Sequence, residues 1–122
     1  MKVRHARRNF TIPTANLEIG RPPVREALTR LDRELASARR NGLEMLKVIH
    51  GYGSTGTGGD IRLAVQLRLA EMARNHLIRH CIFGENWSRS DEQTWRLIQA
   101  RPELKEDRDL GRKNLGITVV VL

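Results

Sequence analysis

A glycine-dense stretch in the middle of the chain carries the residues best suited to chemistry. A short apolar run ends at His50, and the loop that follows contains eight small residues, namely Gly51, Gly53, Ser54, Thr55, Gly56, Thr57, Gly58 and Gly59. A periodic apolar segment then begins at Asp60, so the pattern predicts a strand, a loop and a helix. Such a loop can turn backbone N–H groups toward an anion, and the helix N-terminus adds partial positive charge. Because Arg62 adds a full charge, the stretch predicts a phosphate-binding site.

His50 is predicted to lie at the carboxyl end of a parallel strand, where open α/β sheets place their ligand-binding groups. Its imidazole is a candidate general base or phosphate ligand. The alternative is that the ring bonds to its own loop and fixes the turn.

Two common nucleotide-binding motifs are disfavoured. Gly51 to Gly56 matches G-x-G-x-x-G, but the helix is predicted to begin at Asp60, beyond the last glycine of the motif. No acidic residue ends a following strand to hold a ribose. A Walker A loop is excluded because Gly58 is followed by Gly59 and Asp60 instead of Lys and Ser or Thr.

Composition favours a polyanionic partner. The chain has 122 residues, enough for one domain, with a net charge of +8 and a pI of about 11.0. Bound Lys and Arg side chains release phosphate counterions, so nucleic acid is the expected partner, and a ribosome-adjacent or merely soluble basic protein is the alternative. Residues 1–9 are predicted to form a flexible basic arm. With Cys81 as its one cysteine and no apolar run long enough to cross a membrane, the chain is expected to be cytoplasmic.

Hydrophobic periodicity predicts an α/β fold with the order β-α-β-α-β-β in a mixed sheet of about four strands. Strands are predicted at residues 10–19, 43–50, 78–83 and 117–122, the first with Leu17 and Ile19 on one side. Two main helices are predicted, from Val24 to Asn41-Gly42 and from an Asp60 N-cap to Asn75-His76. A short extra helix is predicted at residues 91–100, anchored by Trp95 and Ile98.

Two further groups of residues have alternative interpretations. Trp87 and Trp95 are candidates for stacking on bases, although such residues more often anchor a segment to the core. Four acidic residues near the C-terminus are candidates for holding a cation or for simple solvation, namely Glu103, Glu106, Asp107 and Asp109.

Two segments of the chain resemble the Smr (small MutS-related) domain family. The first runs from Val48 through His50-Gly51-Tyr52-Gly53 and the glycine run to Ile61-Arg62 and Ala64-Val65. The second is Asn114 to Leu122, which matches the family pattern N-x-G-[VI]-T-x-V-x-L. The order of elements agrees from about Leu17 to Leu122, so residues 10–122 are predicted to form a single Smr-like domain.

The resemblance implies a two-layer α/β sandwich similar to the C-terminal domain of bacterial translation initiation factor three. It also implies binding of branched or structured DNA, or of RNA. Some family members associate with ribosomes, and some nick or cleave nucleic acid, often with a divalent metal such as Mg or Mn.

The first strand departs from the family pattern. The family usually has L-D-L-H-G there, and its acidic residue and histidine are implicated in cleavage, whereas this chain has Leu17-Glu18-Ile19-Gly20-Arg21. The acidic group persists as Glu18, but the histidine is replaced by Gly20. Binding therefore carries over better than catalysis.

Three hypotheses follow for the same site. The first is a nucleic-acid-binding module in which the glycine loop, the helix N-terminus, Arg62 and Arg21 bind phosphate and His50 lines the pocket. The second is a metal-assisted endonuclease with His50 and Glu18 as catalytic residues. The third is a protein that binds a small phosphorylated ligand, whose binding would depend little on salt.

Overall fold

The computed structural model describes residues 10–52 and 58–122. Within these residues the elements are β1 (Thr14–Asn16), α1 (Val24–Arg40), β2 (Met45–Ile49), α2 (Gly58–Arg74), β3 (His80–Phe83), α3 (Glu92–Ala100) and β4 (Ile117–Val121). Two short 3₁₀ helices, Gly84–Asn86 and Pro102–Glu106, flank α3. The predicted basic arm at residues 1–9 lies outside the described residues. None of the helices described is long and apolar enough to cross a membrane.

The four strands form one mixed sheet in the order β1-β2-β4-β3. Strand β1 is parallel to β2, and β4 is antiparallel to both of its neighbours, β2 and β3. Strands β1, β2 and β3 therefore all end at the edge of the sheet where β4 begins. The predicted α/β sandwich with a mixed four-stranded sheet is confirmed.

Helices α1 and α2 cover one face of the sheet. Their buried side chains recur three or four residues apart, as an amphipathic helix requires, and comprise Ala27, Leu31, Leu35 and Ala38 in α1 and Ile61, Val65 and Leu69 in α2. They pack against alternate strand residues, including Ala15, Leu46, Val48 and Val120, and against Leu17 just after β1. Full burial of each leucine contributes about 1.5–3 kcal/mol to folding, so this face forms the main core.

The segment between β3 and β4 covers the second face of the sheet. Trp87, Ile98 and Leu104 are buried there against strand residues that include Ile82 and Val119. Strand β4 is consequently buried along its whole length, as its continuous β-branched sequence predicts. Trp87 is an anchor of this segment and is not available to stack on a base.

Lys47 is a charged residue in the middle of a buried strand. Alternation along β2 directs it to the second face, where Nζ lies 2.7 Å from Asp107 Oδ1 and 2.7 Å from Asp109 Oδ2. The indole N–H of Trp87 donates to Asp107 Oδ2 at 2.9 Å. Because a buried charge requires both a counter-ion and hydrogen bonds, these contacts fasten the segment to the sheet. Asp107 and Asp109, two of the four acidic residues that were candidates for holding a cation, thus bind Lys47 instead.

Two predictions at the ends of elements are wrong for local reasons. Ile19 does not continue β1 on the core side: it is 66% exposed, in a turn closed by the bond from Arg21 N–H to the Glu18 carbonyl at 2.9 Å. Gly20, with φ +81°, permits this turn. Helix α2 begins at Gly58, so Asp60 lies in its first turn and is not its N-cap.

The predicted anchor of α3 is also partly wrong. Ile98 is buried as expected, but Trp95 is 39% exposed and faces outward. Thr94 is buried in its place, and its hydroxyl donates to the Asn86 carbonyl at 2.8 Å. Asp91 is the N-cap of this helix and accepts from Thr94 N–H at 3.0 Å.

Replacing Lys47 with Met tests whether this ion cluster fastens the segment. The change leaves two inward-facing carboxylates without their cation, so the free energy of unfolding should fall by about 3–5 kcal/mol in urea denaturation. The control is Glu26→Gln, which breaks the exposed ion pair with Arg30 and should cost less than about 1 kcal/mol. Equal stabilities of the two variants would contradict this account of the second face.

Candidate functional site

The candidate site lies at the edge of the sheet where three strands end and the fourth begins. Glu18 follows β1, residues 50–52 follow β2, Glu85 follows β3 and Gly116 precedes β4. Helix α2 also starts at this edge, with Gly58. The parallel arrangement of β1, β2 and β3 thus gathers groups that are distant in sequence.

Glu18, Gly51 and Gly116 approach one another closely, and we call these three residues the junction. Gly51 has φ +74°, and a Cβ atom on it would overlap the Glu18 carboxylate. A Cβ atom on Gly116 would lie 3.4 Å from Gly51 Cα. The N–H groups of His50 and Gly51 both donate to the Gly116 carbonyl, at 2.9 and 3.1 Å. The positive φ therefore favours glycine at position 51, and the Gly51 N–H, predicted to bind phosphate, is used within the protein.

The imidazole of His50 is completely buried beside the junction. Its Nδ1 lies 2.7 Å from the carbonyl oxygen of Gly51, which can only accept, so Nδ1 carries the ring proton and donates. Nε2 then accepts from the Thr118 hydroxyl at 2.9 Å, and Thr118 Oγ1 accepts from the Gln66 amide at 3.3 Å. This tautomer is inferred from the hydrogen-bond partners. One chain of hydrogen bonds thus joins α2, β4 and the end of β2.

Burial lowers the pKa of His50 below the usual value for histidine, and the positive charge of Arg62 acts in the same direction. The hydrogen bond to the Gly51 carbonyl and the negative charge of Glu85 oppose this shift without reversing it. His50 is consequently a neutral ring at pH 7 with both nitrogens occupied. In this arrangement it positions the start of the loop, and work as a general base would first require one of these bonds to break.

Arg62, one turn into α2, is paired with the carboxylate that follows β3. Its Nη2 lies 3.3 Å from Glu85 Oε2, with 23% of the Arg62 side chain and 35% of the Glu85 side chain exposed. Among the described residues, Arg62 Nε and Glu85 Oε1 are buried without a hydrogen-bond partner. A buried polar group left unpaired costs about 1–3 kcal/mol. The pair thus leaves Arg62 incompletely satisfied, and the exposed part of its side chain is open to an oxygen-bearing ligand.

The remaining predicted site residues lie around this edge or outside the described structure. Arg21 is exposed at the end of the turn that begins at Glu18. Gly59 lies in the first turn of α2. Gly53, Ser54, Thr55, Gly56 and Thr57 lie outside the described residues. The structure thus brings Glu18, Gly51 and His50 together, with Arg62 near enough to influence the pKa of His50.

Sequence reasoning missed three residues of the site. Thr118 lies in the segment that resembles the family pattern, but its bond to His50 spans 68 positions. Gln66 interrupts the apolar stripe of α2 four residues after Arg62, a signal that could have placed a polar contact there. Glu85 carries no sequence signal, because its pairing with Arg62 arises only when β3 is in place.

A family model described as the Smr domain matches residues 21–89, more than half of the chain. The chain belongs to the Smr domain family. That family is associated with nucleic-acid binding and nicking. The matched part of this Smr domain includes α1, β2, α2 and β3, whereas Glu18 and β4 lie outside it. Comparisons with curated proteins and with solved structures gave no match.

The lowered pKa of His50 predicts a specific pH dependence of stability. The pKa of histidine in the unfolded chain is about 6.5, so between the lower folded value and 6.5 the unfolded state binds more protons than the folded state. The contribution of His50 is therefore fully present above that range. The free energy of unfolding should fall as pH decreases below about 6.5, by at most about 1.4 kcal/mol per pH unit.

Urea denaturation at a series of pH values measures this effect in the parent Smr domain and in His50→Gln, whose amide can still donate and accept. The decline below pH 6.5 should be smaller in His50→Gln. His76→Gln, a change at an exposed position after α2, should keep the dependence of the parent. An identical decline in the parent and His50→Gln would show that His50 is not the responsible group.

Proposed function

We propose that this Smr domain binds nucleic-acid phosphates at the edge of the sheet that carries the junction. The observation that carries the proposal is the placement of Arg62: it lies near the N-terminus of α2, and its ion pair with Glu85 leaves 23% of its side chain exposed. A phosphate oxygen is a suitable acceptor for the N–H groups of an exposed guanidinium. The net charge of +8 draws a polyanion to the protein.

The N-terminus of α2 supports the same ligand. The first four N–H groups of a helix have no partner within the helix, and those of α2 belong to residues 58–61. The aligned peptide dipoles of its 17 residues give this end partial positive charge. We assign the glycines of residues 53–57 to the same role, as additional backbone donors to phosphate. We assign Arg21, which follows β1, to a further contact between its side chain and a phosphate.

His50 has a positioning role in this proposal. Its Nδ1–H holds the Gly51 carbonyl, and Gly51 begins the chain segment that leads to α2. The ring is buried, so a phosphate contacts Arg62 and the helix and does not reach the imidazole. Binding therefore depends directly on the charge at position 62. It depends on position 50 only indirectly, because His50 holds Gly51 in place.

Glu85 competes with the ligand for Arg62. In the free protein its carboxylate takes the place of an anion beside the guanidinium. A phosphate that binds Arg62 must displace Glu85 or share the guanidinium with it. Because the two anions repel each other, removing the charge of Glu85 should strengthen binding.

Arg62→Gln tests the proposal directly. Affinity for labelled duplex DNA and for structured RNA, measured by fluorescence anisotropy, should fall about tenfold, and the slope of log K against log salt should decrease by about one. Arg68→Gln is the matched control, since Arg68 lies on the same helix and is also paired with one carboxylate, Asp32, at 2.8 Å. Glu85→Gln should raise the affinity. Equal effects of Arg62→Gln and Arg68→Gln would contradict the proposal.

Metal-assisted cleavage is the second candidate, favoured by the Glu18 carboxylate in the junction and by the nicking associated with the family. Among the described residues no three His, Cys, Asp or Glu side chains form a group that could hold a metal ion. The same assay, repeated on gels with chelator and with magnesium or manganese, separates the candidates. Metal-dependent products would favour the endonuclease. Absence of nucleic-acid binding, with saturable and nearly salt-independent stabilisation by nucleotides or sugar phosphates, would favour a small phosphorylated ligand.

A further inference from the structure

Residues 107–113, which lead into β4, turn their acidic side chains inward and their basic side chains outward. Asp107 and Asp109 face the buried Lys47. Arg108, Arg112 and Lys113 are exposed. Although this stretch contains both acidic and basic residues, its solvent-facing surface is therefore cationic.

Hydrogen bonds keep Asp109 in this inward position. Burial raises its pKa, but hydrogen bonds from Lys47 and Asn114 and the charges of Lys47 and Arg108 outweigh that effect, and the pKa lies below its usual value. Asp109 is therefore ionised at neutral pH and stays bound to Lys47. Its carboxylate is only 15% exposed and does not cover the basic side chains outside.

Lys113 has a left-handed backbone conformation, with φ +54°. Such a conformation costs a non-glycine residue about 1 kcal/mol or more. Two other non-glycine residues of the described chain share it, Arg21 (φ +49°) and His76 (φ +61°). His76 follows the end of α2, where left-handed residues commonly terminate helices. Arg21 and Lys113 do not terminate helices: they lie in short turns, and both are basic.

Arg21 and Lys113 are each three residues from a junction residue, Arg21 after β1 and Lys113 before β4. Arg21 lies three residues after Glu18 and is tied to it by a backbone hydrogen bond of 2.9 Å. Lys113 lies three residues before Gly116, and the intervening Asn114 accepts from Gly116 N–H at 2.9 Å. Both cations are thus attached to the junction by short, hydrogen-bonded turns.

We propose that Lys113, together with Arg112, is a second phosphate-binding position, so that a nucleic-acid backbone crosses the junction between Arg21 and Lys113. The inference rests on the proposed function and extends it to a segment outside the matched residues 21–89. A ligand with repeating phosphates can contact cations on both sides of the junction at once. Together with the net charge of +8, this favours a nucleic-acid strand as the occupant.

Lys113→Asn tests the inference because asparagine tolerates the left-handed conformation and lacks the charge. For labelled duplex DNA the slope of log K against log salt should decrease by about 0.9, the value for one lost phosphate contact, with a decrease in affinity of several-fold. The free energy of unfolding should stay the same or rise. Lys113→Arg should keep the slope of the parent.

His76→Asn is the control for the backbone conformation, since it places asparagine at another left-handed position, after the C-terminus of α2, without removing a lysine or arginine charge. Its affinity and salt slope should equal those of the parent. Lys113→Gly is a second variant that removes both the charge and the backbone strain, so lost binding cannot be attributed to misfolding if its unfolding midpoint is unchanged or higher.

The outcomes distinguish this inference from the proposed function. If the parent binds DNA with a strong salt dependence and both Lys113→Asn and Lys113→Gly keep its slope and affinity, the inference is overturned while the proposed function stands. If the parent itself shows no salt-dependent binding to DNA or structured RNA, the proposed function fails and the inference fails with it.

Discussion

The carbonyl group of Gly116 accepts two backbone hydrogen bonds, and the rest of the site depends on them. Donation by His50 and Gly51, at 2.9 and 3.1 Å, holds the end of β2 against the start of β4. At this contact Gly51 has φ +74°, a left-handed conformation that favours glycine, and the Glu18 carboxylate lies beside its Cα atom. The two hydrogen bonds thus fix the position of Gly51, where the chain leaves β2 in the direction of α2.

Hydrogen-bond networks support the junction from both faces of the sheet. On the side of α2, the chain from Gln66 through Thr118 and His50 ends at the Gly51 carbonyl. On the other side, Asn114 accepts from Gly116 N–H and donates to Asp109 at 3.1 Å, and Asp109 binds the buried Lys47. Segment 84–114 thus contributes more than cover for the sheet, because its ion cluster is connected to the site.

Local patterns predicted much of this fold, and contacts between distant residues account for what they missed. The apolar stripe of α1 and the continuous β-branched sequence of β4 were predictable because burial alone determines where apolar residues occur in them. The exposure of Ile19 and Trp95 was not predictable in this way. The turn after β1 determines the exposure of Ile19, and the packing of α3 determines that of Trp95. The pairs Lys47–Asp107 and Arg62–Glu85 join residues 60 and 23 positions apart. No spacing rule predicts such pairs, although a lysine within an apolar strand does signal that a buried partner is needed.

Mapping the amide chemical shifts of the folded protein during titration with a short oligonucleotide is the most direct test of where nucleic acid binds. The account predicts that the largest changes occur at the N-terminus of α2, around residues 58–62, at Tyr52, and in residues 113–116 before β4. Residues 41–44 and 74–79, at the opposite end of the sheet, should change little. Changes concentrated at that opposite end would contradict the account, because they would place the nucleic acid away from the junction and from Arg62.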